Sequence, residues 1–361
     1  MTQAAAFTSL PPGSIIGIMG GGQLGRMLSL AASHLGLDCH IYCPHAGGPA
    51  ARVSRYETVA EYEDLDAIAA FAQRCDVVTY EFENVPAQTA AKAAEYAPLA
   101  PGARALHVAQ DRLVEKSFIQ DEAGVDVVGF ADITTPKQAA LAGERFGYPN
   151  IIKTRRFGYD GKGQIKVERA KDMRAAFNSM NGAPLILEAF APFTREVSIV
   201  AARGRDGTFA AYPLIENVHR NHILHTSTVP ASDDDGRAAQ IAQRIMDGLD
   251  YVGVMATEFF QMQDGSLLVN EIAPRVHNSG HLTQDAGCID QFEQHIRAVA
   301  GWPLGSTAPK HGVVMTNLIG DDAASWEMLA AQPDMRLHLY GKIEMREGRK
   351  MGHVNMIGKA L

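Results

Sequence analysis

The sequence predicts an α/β and α+β protein that opens on a doubly wound parallel sheet and continues into a small lid and a larger α+β body. Three observations predict it. The 361 residues exceed what one average core holds, so two or three domains are expected. The N-terminal segment reads strand, glycine turn, helix. Further on, ATEFFQMQDGSLLVNEIAPR, from Ala256 to Arg275, sets two apolar runs on either side of Asp264-Gly265, the pattern of an antiparallel hairpin.

In order along the chain, Ser14 to Met19 is a short apolar strand, followed by the turn residues Gly20 to Gly25. The next helix carries Leu24, Met27, Leu28, Ala31, Ala32 and Leu35 at the spacing of one buried face, and Gly36 ends it. Gly20, Gly22 and Gly25 match GxGxxG, but a dinucleotide site also requires an acid at the end of the second strand, where CHIYCP has Cys43-Pro44. A phosphate loop built from amides and a helix N-terminus, and plain tight-turn glycines, are the remaining readings. Cys75 to Tyr80 is a second buried strand running into Glu81-Phe82-Glu83-Asn84, acids placed where open α/β sheets bind ligands. Asn84 before Val85-Pro86 also fits a helix N-cap. Pro98 to Gly102 reads as the exit from this domain.

Asp111 to Ala123 is a helix with Arg112 and Lys116 on one face, where solvated basic residues are the default. Asn150 to Lys153 is a strand ending in a lysine, and TRRFGYDGKGQ from Thr154 to Gln164 follows. Three glycines among basic and polar residues cannot bury a core, but they can fold amides and cations over phosphates. Pro184 to Glu188 and Arg195 to Ala201 are strands with Glu188 at the end of the first and Glu196 near the start of the second. Such a joint offers backbone groups to a base and an acid to a ribose. Alternation puts His222 on the opposite strand face from His219 and His225, which argues against zinc. Pro274 and Gly280 oppose a regular helix carrying His277 and His281.

The hairpin carries the chemistry. Taking Asp264-Gly265 as a two-residue loop pairs Gln263 with Ser266 and brings Glu258 opposite Glu271. Facing like charges destabilise a hairpin unless something compensates them. A divalent cation does so, and hard oxygen ligands point to Mg²⁺, hence to a nucleoside triphosphate. The net charge of -8 leaves no basic footprint for nucleic acid, and no apolar run is long enough for a membrane span. The N-terminus lacks the features of a signal peptide, and Cys39, Cys43, Cys75 and Cys288 form no CxxC pair, so a cytoplasmic protein with reduced thiols is expected.

A lysine before a glycine-rich flap, a hinge acid and two hairpin glutamates ending in NEIAPR together resemble the ATP-grasp ligases. YEFENVP (80–86), FGYDGKGQ (157–164), NEIAPRVHNSGH (270–281), YGK (340–342) and GRKMGHVN (348–355) narrow the resemblance to the 5-(carboxyamino)imidazole ribonucleotide synthase family. That resemblance implies an N-terminal domain over 1–105, a lid over 147–203, and a body from 106–146 and 204–361. It implies ATP and Mg²⁺, with bicarbonate and aminoimidazole ribonucleotide as further substrates and a homodimer as the assembly. Arg112 and Lys153 match ATP-phosphate contacts, and the flap Gly158, Tyr159, Asp160, Gly161, Lys162, Gly163 and Gln164 closes over the nucleotide. Glu188, Ala189, Phe190 and Ala191 match the adenine hinge, Glu196 the ribose contact and His219 a further nucleotide contact. Glu258 and Glu271 match the metal carboxylates, with Asn270 beside them. Lys153, Arg275, Tyr159 and Asp160 are the catalytic candidates, Arg275 as the bicarbonate holder. Gln23, Glu81, Asn84, Tyr159, Asp160, Arg275, Asn278, Lys342, Arg349 and Lys350 form the substrate set, Arg349 and Lys350 toward the 5′-phosphate. Another ATP-grasp ligase, a dinucleotide oxidoreductase and a nucleotide-binding regulator are the competing readings.

Overall fold

The computed structural model describes residues 7–158 and 161–360, the last two by their backbone alone. The N-terminal domain contains β1 (Ile15–Met19), α1 (Gln23–His34), β2 (Asp38–Cys43), β3 (Tyr56–Val59), α2 (Leu65–Ala72), β4 (Val77–Tyr80) and α3 (Ala87–Ala94). Its four strands are parallel in the order β3-β2-β1-β4. α1 buries Leu24, Met27, Leu28, Ala31 and Ala32, the face its spacing marks out. The chain leaves β1 toward β2 on one side and finds β4 on the other, so the carboxyl ends of β1 and β4 form the switch point where ligands settle. There the Glu81 carboxylate turns back into the glycine turn. It accepts from the Gly22 amide and, at 2.6 Å, from the Gly25 amide, so the turn's donors hold a protein carboxylate. Asn84 is exposed and does not cap α3, whose N-terminus lies at Pro86 without a side-chain cap. Gln110 Nε2 donates to the carbonyls of Glu83 and Val85 and fixes that loop before the helix starts.

Helices α4 (Ala103–Ala109) and α5 (Arg112–Ser117) lead out of this domain, α5 capped by Asp111 and widening into a π-helical turn over Phe118–Glu122. The lid follows as β5 (Phe130–Ile133), α6 (Pro136–Phe146), β6 (Asn150–Thr154), β7 (Gln164–Val167), α7 (Met173–Ser179) and β8 (Leu185–Ala189), an antiparallel sheet in the order β5-β8-β6-β7. Its core joins Ile133, Ala139 and Ala142 to Ile152, Val167, Met173, Leu185 and Leu187. The lid therefore spans about 130–189, displaced from the expected 147–203. α6 packs on α7 as well as on β5 and β8, which draws β5 and α6 into the lid.

The body comprises β9 (Arg195–Arg203), β10 (Phe209–Ala211), β11 (Ile215–Arg220), β12 (Ile223–Val229), α8 (Arg237–Gly248), β13 (Gly253–Gln261), β14 (Leu267–Ala273), α9 (Gln291–Val299), β15 (His311–Ile319), α10 (Trp326–Ala330), β16 (Met335–Leu339) and β17 (Lys350–Ala360). Its antiparallel sheet runs β14-β13-β9-β11-β12-β15-β17-β16, with β10 beside β9. β9, assigned to the lid from sequence, is a central strand here; Val197 to Ala202 are buried on both faces. His222 sits in the β11–β12 turn, where Asn221 and His222 have φ of 49° and 64°, so strand alternation does not apply to it.

The β13–β14 hairpin departs twice from the expected register. Met262 pairs with Ser266, leaving a three-residue loop closed by Gly265 at φ 79°. The pairing is thus one residue out as far as Phe259 opposite Val269. A bulge then leaves Asn270 as the extra residue and restores Glu258 opposite Glu271. β14 is an edge strand, and α5 packs against it. The Ile272 amide donates to Glu115 Oε1 at 2.7 Å, and Lys116 Nζ donates to the Asn270 carbonyl at 3.0 Å. Side chains thereby satisfy backbone groups that an open edge would expose. Lys116 is fully buried, against its expected solvated face.

Two buried side-chain arrangements lead to measurable outcomes. His295 in α9 joins the first domain to the body. Its Nε2 is 2.8 Å from Thr79 Oγ1, and Nδ1 accepts from the Val254 amide at 3.1 Å. Burial pushes its pKa down to about 3, so the native ring stays neutral while an unfolded histidine titrates near 6.5. Below pH 6.5 the unfolded chain binds the extra proton, and stability falls until pH reaches the native value. Urea unfolding at pH 6.5 and pH 5, above the range of unfolded carboxylates, should show wild type losing about 2 kcal/mol more than His295→Gln. At the glycine turn, a Cβ on residue 22 meets Glu81 Oε1 at 2.7 Å. Gly22→Ala should cost about 1–3 kcal/mol in urea unfolding, and much less in a Glu81→Ala background.

Candidate active site

The carboxyl ends of β1 and β4, the lid strand β6 with its flap, and strands β9, β11, β13 and β14 enclose one cavity of about 980 Å³. Its floor carries Glu258 and Glu271 side by side. Arg112 Nη1 lies 2.7 Å from Glu271 Oε2, and His277 Nε2 3.0 Å from Glu258 Oε1. Burial opposes ionisation of Glu258, but the hydrogen bond and charge of His277, with His219 and Lys350 behind, hold it down at about 2. The repulsion inferred from sequence is thus offset by the Arg112 guanidinium at Glu271 and by the His277 contact at Glu258. The bulge turns Asn270 to the cavity wall, where strict alternation would have pointed it away, and its buried Oδ1 has no hydrogen-bond partner. Two carboxylates and an unsatisfied amide oxygen are hard donors without sulfur or imidazole among them, a set that fits Mg²⁺.

Above the floor, β6 delivers Lys153 to the cavity, its Nζ 2.6 Å from Glu188 Oε2. Burial opposes the negative charge on Glu188, and Lys116 and Lys153 together hold it down at about 2. Arg155 grips Asp111 with two hydrogen bonds of 2.8 Å, fixing the start of α5 to the lid. Arg112 Nη2 reaches the Gly158 carbonyl at 3.3 Å. Gly158, Gly161, Lys162 and Gln164 line the cavity, while Gly163 is turned against Thr154, whose amide donates to its carbonyl at 2.8 Å. Tyr159 and Asp160 lie outside the described residues.

On the β9–β11 side, Glu196 Oε2 and His219 Nδ1 are 2.6 Å apart. Burial works against protonating His219, yet Glu196 and Glu258 raise its pKa overall. Beside them Phe193 and Phe260 stack 4.6 Å apart, an apolar face at the cavity wall. Ala189, Phe190 and Ala191 continue from β8 outside the lining, and Phe190 lies under Lys166.

Toward the first domain, Gln23, Glu81, Asn84, Arg275, Asn278 and Lys350 share the same wall. Arg275 Nε donates to Glu83 Oε2 at 2.5 Å and Nη1 to the Val276 carbonyl at 3.1 Å, so its guanidinium is aimed by the loop after β4. Asn278 and Asn317 exchange amide hydrogen bonds of 2.9 and 2.8 Å. Lys342 donates to the Lys350 carbonyl at 2.6 Å; burial and the charge of Arg349 bring its pKa to about 8. Lys342 and Arg349 stand behind the lining, Arg349 donating to the Glu344 carbonyl. Sequence reasoning passed over Glu115, read Glu83 as an acid beside a ligand without its arginine partner, took Lys116 for a solvated base, and set His277 aside for want of a regular helix. His277 lies inside a quoted motif, but its contact with Glu258 is long-range. Nothing local marks Lys116 or Glu115, whose roles depend on the edge they cover.

Three family models match in chain order. They are a ribonucleotide synthetase preATP-grasp domain over residues 14–110, an ATP-grasp domain over 118–292, and a phosphoribosylaminoimidazole carboxylase C-terminal domain over 313–361. The N5-carboxyaminoimidazole ribonucleotide synthase of Brucella melitensis is 50% identical over 355 residues, 97% of this chain and 98% of its own. An N5-carboxyaminoimidazole ribonucleotide synthetase solved as its ADP complex has a TM-score of 0.93 at 41% identity, covering 98% of this chain and 94% of that one. The Aspergillus clavatus N5-carboxyaminoimidazole synthase, solved with ADP and 5-aminoimidazole ribonucleotide, has a TM-score of 0.89 at 28% identity, covering 96% and 94%. The fold, the cavity shared by the three domains and these likenesses agree: the chain belongs to the N5-carboxyaminoimidazole ribonucleotide synthase family of ATP-grasp ligases.

Proposed function

We propose that the cavity carboxylates aminoimidazole ribonucleotide with bicarbonate at the expense of ATP, through carboxyphosphate, releasing ADP and phosphate in purine biosynthesis. One observation carries this reading: a pair of carboxylates suited to a divalent cation lies in the same cavity as a buried lid lysine and an arginine held by Glu83. Glu258, Glu271 and Asn270 Oδ1 would hold Mg²⁺, which supplies charge neutralisation at the phosphoryl oxygens. Lys153 and Arg112 take the β- and γ-phosphates and stabilise charge that develops on them. Glu196 and His219 meet the ribose, with the strand end Glu188–Ala191 toward the adenine.

Arg275 holds bicarbonate, and its ion pair with Glu83 limits the orientations it must give up on binding. Glu81, Tyr159 and Asp160 take the imidazole ribonucleotide, with Gln23, Asn84 and Asn278 completing that wall. Lys342, Arg349 and Lys350 receive its 5′-phosphate. The flap shuts water away from a mixed anhydride that hydrolyses readily. The family reading extends to a homodimer in the cytoplasm.

Phosphate release tests the assignment. Wild type should release phosphate from ATP only when aminoimidazole ribonucleotide and bicarbonate are both present. Glu271→Gln should lower the rate roughly 100-fold or more. Release that ignores aminoimidazole ribonucleotide overturns the substrate assignment.

A further inference from the structure

Behind the cavity floor lies a buried charge triad that spans lid and body. Glu188, on lid strand β8, is 2% exposed and faces Lys153 Nζ at 2.6 Å through Oε2. Its other oxygen, Oε1, is buried without a hydrogen bond and lies 3.4 Å from Lys116 Nζ. Lys116 comes from body helix α5, is 0% exposed, and hydrogen-bonds the Asn270 carbonyl on the bulge. Withdrawing an ammonium from water costs several kcal/mol after relaxation, and a methionine fills similar volume without that penalty. Its contact with the edge carbonyl explains one of its donors but not its placement against Glu188.

The two lysines share one carboxylate through different oxygens. The Lys153 ammonium has three donors, yet without Lys116 a buried Glu188 carboxylate, paired directly with Lys153 alone, would draw that ammonium strongly away from a triphosphate. Lys116 removes that obstacle, because Oε1 is an open acceptor already facing it. As Lys153 swings to phosphate, Glu188 can close the 3.4 Å gap and remain paired. We propose that Lys116 is a positioning residue for ATP binding: by neutralising Glu188 from the body side, it leaves Lys153 free to exchange between Glu188 and the triphosphate. The inference rests on Lys153 being the ATP-phosphate lysine. It also makes Lys116 a link between the lid and the strand carrying Glu271, since one ammonium touches both.

The test compares Lys116→Met, Lys153→Met, Glu188→Gln and Lys116→Met/Glu188→Gln in the full-length protein. ATP dissociation constants are measured calorimetrically, and steady-state KM for ATP and for aminoimidazole ribonucleotide is measured with kcat. Lys153→Met should weaken ATP binding about tenfold or more. Lys116→Met should raise both the dissociation constant and KM for ATP about tenfold, with KM for aminoimidazole ribonucleotide within about twofold of wild type. Once Glu188 is neutral, Lys153 has nothing to escape, so Lys116→Met should change ATP affinity less than about threefold in the Glu188→Gln background. The double variant removes the Lys116 charge together with the Glu188 charge it faces and leaves Lys153 at the cavity lining, so this comparison serves even where Lys116→Met alone does not fold.

ATP affinity within about twofold of wild type in Lys116→Met, beside an impaired Lys153→Met, overturns the proposal and leaves the ATP site intact. A full-sized defect that persists in the Glu188→Gln background also overturns it and assigns Lys116 to the strand edge alone. Wild-type ATP affinity in Lys153→Met removes the reading of the ATP site and this proposal together.

Discussion

Glu258 and Glu271 stand opposite each other on neighbouring strands with their carboxylates at the floor of the cavity. Facing like charges must be neutralised, and their neighbours are arranged accordingly. Arg112 reaches Glu271 from α5, and His277 reaches Glu258 from the segment after β14. A cation entering this floor meets carboxylates already oriented by Arg112 and His277, so its binding requires little rearrangement of the donors. The bulge that aligns the pair also presents the Asn270 amide oxygen, so one irregularity serves both the register and the donor set.

The other half of the site is built by the same electrostatic logic at lower exposure. Lys153, Glu188 and Lys116 form a buried row shared between lid and body. Arg155 and Asp111 add a two-point clamp between the same units. Ion pairs thus join the lid to the body beside the backbone hydrogen bond from Arg112 to Arg155, and they are contacts that a polyanionic ligand can rearrange. In the first domain, by contrast, Glu81 and the turn amides make a closed arrangement of the domain's own groups.

Much of the fold was legible from pattern alone. The first strand, its glycine turn and its helix appear where period and turn chemistry place them, because these signals are local. The hairpin shows how a correct pairing can come from an incomplete reason. Asp264-Gly265 marked a reversal, but the loop takes three residues, and the bulge at Asn270 cannot be read from composition. Lid limits were misplaced because β9 and β5 look alike as isolated strands; only their partners distinguish them. Lys116 was taken for a surface residue because helical spacing gives a face but not what covers it.

The sequence by itself determined the elements, the glycine-rich flap, the acidic pair and the family, since each is written in neighbouring residues or in short motifs held in order. Tertiary structure alone decided which cations neutralise those acids, that the glycine turn receives Glu81, and that Lys116 and Lys153 share Glu188. These are contacts between residues 19 to 159 positions apart, set by how sheets stack and edges are covered, and burial then gives them electrostatic weight that no local pattern records.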